Sequence, residues 1–127
     1  RPNLHIKDYC EAVDVLLDSE SEKIKDQIFN VGYENMSINQ IANLVKIVVE
    51  KLFSEKKIKI EKVATDDNRS YHINSDKIYQ VLGFKPRRSI EDAVEDLCKA
   101  FKNGKLPNSF ENDYYFNVKQ LKKINAK

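Results

Sequence analysis

Glycine and proline are scarce in this chain, three of each among 127 residues, and their scarcity excludes a good deal. Flexible linkers have little room, and no glycine-rich turn exists that would let a main chain approach a pyrophosphate where a helix begins. Tryptophan is absent, and cysteine occurs only at Cys10 and Cys98. These two stand far apart, each inside a helix-like pattern, so neither a disulfide framework nor a zinc site follows, and both are expected to pack as small apolar side chains. No apolar run approaches the roughly 18 residues that a spanning helix requires. No basic and apolar leader opens the chain either, so the expectation is a cytoplasmic location with no membrane partner. Neither sign of charge dominates, with 22 basic residues against 20 acidic and a net charge of +2. Both signs are interspersed along the helical patterns, which argues against nucleic acid as a partner. The densest basic cluster, Lys119 to Lys127, reads as a solvated helix end rather than a phosphate-tracking tail.

Hydrophobic residues make up 41% of the chain, enough for one domain with a core. Leu4 and Ile6 alternate with polar neighbours before Asp8 and Glu11, a capping pair that predicts a helix to about Leu17. Tyr9, Ala12, Val13, Leu16 and Leu17 share its apolar face, with Glu11, Asp14 and Asp18 turned outward. Gln27 to Val31 reads as a short apolar strand. Ser37 and Gln40 form a capping box for a helix over Ile38 to Phe53, whose stripe is Ile41, Leu44, Val45, Val48 and Leu52. Lys57 to Val63 alternates through Ile58 and Ile60 as a half-exposed strand. Ser89 and Asp92 open another helix through Ala93, Val94, Leu97 and Phe101 that stops near Gly104, and a last short helix is expected from Val118 to Ile124.

The most informative stretch is Asn68 to Pro86. Tyr71 and Ile73 alternate as a short strand would, Ser75 is placed to cap a helix from Asp76 to Leu82, Gly83 is placed to end it, and Phe84 is expected to fold back onto it. Two patterns stand in order: R-x-x-L-H-I-x-D from Arg1 to Asp8, and D-x-R-x-Y with K-I and L-G-F from Asp67 to Phe84. In order and spacing they resemble the carboxy-terminal part of the NAD-dependent epimerase/dehydratase family, the extended short-chain dehydrogenase/reductases that act on nucleotide sugars. The resemblance covers Arg1 to about Phe101. It implies an α/β chain, an α+β lobe closing a Rossmann-type fold, built of helices with a few short strands. Residues 1–35 would be a remnant of the dinucleotide-binding domain, 36–105 the substrate-binding lobe and 106–127 a tail. The resemblance also implies a missing amino-terminal Rossmann domain that holds NAD, with no cofactor on this segment and no activity from it alone. The implied ligand is a nucleotide-diphosphate sugar.

An arginine fork matches diphosphate oxygens with paired charge-assisted hydrogen bonds that a lysine cannot duplicate. Only four of the basic residues are arginines. By the resemblance, Arg1 and Arg69 are the candidate diphosphate ligands. The alternative for Arg69 is surface pairing with Asp66 or Asp67, a contribution of about 0–1 kcal/mol. Arg87 and Arg88 are expected to be solvated. His5 and His72 each sit in an alternating segment with no nucleophile or ligand spacing beside them, and are read as packing residues. Tyr115 and Lys119 reproduce the spacing of the family's catalytic pair but follow every other family feature, so they are read as coincidence and no catalytic residue is assigned.

A reading from a different class is a non-catalytic helical protein-interaction domain that docks through the amphipathic faces at 8–18 and 38–53. Isolated from a covering sheet, Ile28, Phe29 and Val31 would be exposed, and self-association or a rearranged amino-terminal segment is the expectation. The nucleotide-sugar reading also expects ribbons at 57–63 and 70–73 and a side chain at position 69 that faces a cleft.

Overall fold

A computed structural model describes residues 1–64 and 70–125. They form two units, Arg1–Leu97 and Cys98–Lys127, the second including two undescribed terminal residues. The chain is an α+β protein, mostly helical with one small sheet.

In the first unit, strands β1 (Pro2–Asn3) and β2 (Glu34–Asn35) pair antiparallel, with Pro2 opposite Asn35 and Asn3 opposite Glu34. Arg1 and Met36 continue the ladder by exchanging both main-chain bonds, at 3.0 and 2.6 Å. Helix α1 (Ile6–Asp18) starts three residues earlier than its sequence suggests, because the cap is His5, whose Nδ1 accepts from Lys7 N–H at 3.1 Å. Asp8 is not the cap. It lies fully buried within the helix, and the inner face runs through Asp8, Ala12 and Val15 at the spacing of successive turns. Tyr9, Val13 and Leu17 are therefore exposed rather than inward, and Cys10 is exposed with them. A short helix, α2 (Ser21–Ile24), follows.

The strand expected at 27–31 does not form. Phe29 and Val31 pack on the core while Ile28 points to solvent, so of the three side chains expected to lie uncovered only Ile28 does. Alternation does not supply a pairing neighbour, and among the described residues the only ladder is β1 with β2. The strands expected at 57–63 and 70–73 are absent for the same reason. Instead Ile58 N–H donates to Glu50 Oε1 at 2.8 Å, and Ile73 takes its main-chain partners from a side chain.

Helix α3 (Ile38–Leu52) carries the expected capping box: Ser37 Oγ accepts from Gln40 N–H, and Gln40 Oε1 accepts from Ser37 N–H at 2.8 Å. Val48 is its buried residue. Helix α4 (Asp76–Leu82) ends at Gly83, whose left-handed φ of 70° lets its N–H reach Tyr79 O at 2.8 Å, a turn that a Cβ would strain. Phe84 then folds back as expected. It joins Ile78 and Ala12 in the buried cluster, with Val15, Phe29, Val31 and Leu82 around them. Helix α5 (Ile90–Lys102) begins with the expected box, Ser89 N–H donating to Asp92 Oδ2 at 2.8 Å and Asp92 N–H to Ser89 Oγ at 3.2 Å. At its far end Gly104 N–H bonds to Phe101 O and Lys105 N–H to Ala100 O, the two closing bonds that satisfy the last carbonyls. In the second unit, Asn112 caps a single 3-10 turn (Asp113–Tyr115), and helix α6 (Asn117–Lys123) matches the short terminal helix read from the sequence.

Candidate functional site

Two segments of the first unit, 32–35 and 73–75, meet in a seam that the sequence did not announce. The Asn35 carboxamide donates to Ile73 O at 3.0 Å and accepts from Ile73 N–H at 3.1 Å, so one side chain does the work of a strand neighbour. The Ser75 hydroxyl accepts from Gly32 N–H at 2.8 Å and donates to Gly32 O at 3.0 Å. Ser75 thereby leaves its expected capping role, and Asn74 Oδ1 accepts from Asp76 N–H instead. A Cβ at Gly32 would lie 2.5 Å from Ile73 Cδ1, so any larger residue there requires the Ile73 side chain to turn aside. A cleft of about 440 Å³ opens along the seam, with Tyr33, Asn35, Asn74, Tyr79 and Lys85 among its walls. Two half-exposed phenol rings, the Lys85 ammonium and the Asp76 carboxylate give it an aromatic and polar lining with one charge of each sign, and the rings suit a ligand that itself carries a ring.

Arg1 is held at the head of the β1 and β2 ladder, and its guanidinium carbon lies 5.4 Å from the centre of the Tyr71 ring. Tyr71 is two residues along the chain from Arg69, and the two sequence patterns thus converge in space at Arg1 and Tyr71. Arg69 itself lies outside the described residues.

Of the two arginines expected to be solvated, Arg87 is, with its side chain exposed even as it pairs with Glu11, whereas Arg88 is half-buried and engaged by α1. Asp8 Oδ2 accepts from the main-chain N–H of both, at 3.0 and 2.8 Å, and Asp8 Oδ1 accepts from Arg88 Nη1. Arg88 Nη2 and Arg87 Nη2 donate to the two oxygens of Glu11, at 2.8 and 2.9 Å. The signal that could have found this cluster is the wheel position of Asp8, on the same face as Ala12 and Val15; a carboxylate there must meet donors, since an unpaired buried charge is expensive. The cluster ties α1 to the loop entering α5.

These contacts shift titrations. Hydrogen bonds first from Arg88 and then from Arg87 hold the Glu11 carboxyl below the ordinary carboxylate value, and the Glu11 bond raises Arg88 further. Asp92 is also lowered, chiefly by the Ser89 N–H and then the Ser89 hydroxyl. A carboxyl whose pKa is depressed by folding stabilises the fold above its unfolded pKa, and that contribution disappears as pH falls through the lowered folded value. Urea midpoints measured from neutral to acid pH should therefore decline through and below the usual carboxylate range. Glu11→Gln should decline less steeply, with Asp92 sustaining the remainder. An unchanged slope in that variant would contradict the assignment.

His5 is buried. With Nδ1 accepting from Lys7 N–H, its proton resides on Nε2, which faces Asp96 Oδ2 at 3.6 Å, so both ring nitrogens are occupied by structural contacts. His72 is exposed. Lys119 places its ammonium 4.4 Å from the centre of the Phe116 ring. Gly83 and Gly104 follow helices and Gly32 is clipped to Ser75, so none of the three stands between a strand and a helix start. Among the described residues no helix is long and apolar enough to cross a membrane. The chain matches no family model and no solved structure.

Proposed function

We propose that this chain is the nucleotide-sugar-binding, carboxy-terminal part of an NAD-dependent epimerase or dehydratase, cytoplasmic and inactive alone. The observation that supports the reading is the meeting of Arg1 with Tyr71, because it joins the chain's two family-like patterns, with Met36 beside Arg1 and Tyr71 itself standing one and two residues from Asn35 and Ile73 of the aromatic-lined cleft. The ribbons at 57–63 and 70–73 do not contribute to the reading; motif order and this convergence do. Arg1 and Arg69 grip the diphosphate in this account. NAD and the catalytic pair belong to a Rossmann domain outside the chain. Binding energy drawn from the remote phosphates orients the sugar ring for chemistry performed there.

The interaction-module reading is favoured by a different observation, the exposed Ile6, Tyr9, Val13 and Leu17 on one side of α1. Calorimetric titration with UDP, GDP, CDP and dTDP sugars separates the two. A diphosphate ligand should bind, and Arg69→Ala should weaken it on the order of 10- to 100-fold, the worth of one or two charge-assisted hydrogen bonds. No heat from any nucleotide sugar, or equal affinity in the variant, would favour the interaction module.

A further inference from the structure

Helix α6 and the turn before it present an unpartnered amphipathic surface within the second unit. At 100° per residue, Val118, Leu121 and Ile124 fall within an arc of about 120°, and Lys119, Lys122 and Lys123 occupy an arc of about 100° on the opposite side. The apolar side is open: Val118, Leu121 and Ile124 are 66%, 51% and 60% exposed, and the preceding Phe110 and Tyr114 are 86% and 77% exposed. No acidic residue lies in the helix. Asp113, 3.6 Å from the Lys123 ammonium, offsets part of its charge, and Lys119 sits over the Phe116 ring.

We infer that this segment docks on an anionic lipid surface, the apolar side and Phe110 entering the headgroup boundary while the lysines stay among the phosphates. Charge selects this occupant: three lysines opposite an aliphatic face, with the exposed rings of Phe110 and Tyr114 preceding it, match an anionic interface, where long lysine side chains keep their heads wet and their stems covered. Lying on a bilayer differs from spanning it, and the absence of a spanning helix is no obstacle. The inference does not depend on nucleotide binding.

The test is sedimentation of the full chain with phosphatidylcholine vesicles, with and without phosphatidylglycerol. Each lysine near an anionic surface contributes about 1 kcal/mol, so the anionic vesicles should bind at least about tenfold more tightly, and added salt should erase the difference. Lys119, Lys122 and Lys123 changed together to Gln should abolish the preference for anionic lipid, and Phe110→Ser should weaken binding while leaving the thermal midpoint unchanged. Equal partition onto neutral and anionic vesicles, or a triple variant that behaves as wild type, overturns the proposal. So does a lack of vesicle binding, which would leave the surface to an acidic protein partner.

Discussion

Replacing Asp8 with alanine is expected to destabilise the chain by about 3 kcal/mol, the low end for removing one partner of a buried ion pair. The Asp8 carboxylate is wholly buried and serves three donors at once: the main-chain N–H groups of Arg87 and Arg88 and the Arg88 guanidinium. Without it, two main-chain N–H groups lose their acceptor, while Arg88 keeps Glu11, which is why the low end applies. For a chain of this size the thermal midpoint should fall by roughly 10 °C. Because the vacated space is lined by donors, formate should restore part of the lost stability in Asp8→Ala, and chloride at equal ionic strength should not. A loss below about 1 kcal/mol would mean that the loop entering α5 is held by something else.

Ile78→Ala should lower stability still more, by about 4 kcal/mol, since large-to-small changes at fully buried aliphatic positions add a cavity cost to lost burial. Ile78 is entirely buried, between Ala12 of α1 and Phe84, and it is the residue through which α4 joins the core. Ile78→Val removes a single methyl group and should cost only about 1 kcal/mol. Chemical denaturation of both variants measures the ratio, and comparable losses in the two would contradict a tightly packed centre at this position.

The helices were legible because their starts and stops are local. Ser37 with Gln40, Ser89 with Asp92, and Gly83 each act within four residues, so the chain states them directly. The exception, α1, shows the limit. Asp8 and Glu11 have the spacing of a capping pair, but a partner 80 residues away claims the buried Asp8, and His5 takes the helix end. The strands at 27–31, 57–63 and 70–73 were misread for a related reason: alternation fixes which side chains turn inward, whereas a ladder also needs a neighbour supplied from elsewhere in the chain. The seam was invisible for the same cause. Nothing local to Asn35 announces Ile73, and nothing local to Ser75 announces Gly32. Of the two candidate phosphate ligands, Arg1 stands beside Tyr71, a contact that nothing local to either residue announces, and Arg69 falls outside the described residues.

The most direct measurement is an amide NMR titration of the isotope-labelled chain with nucleoside diphosphates. The account predicts saturable shifts concentrated at Asn3 and Met36, the amides beside Arg1, in the segment from Arg69 to Ile73 and at Asn35, with α1 unaffected. Shifts confined to other surfaces, or none at millimolar nucleotide, would contradict it.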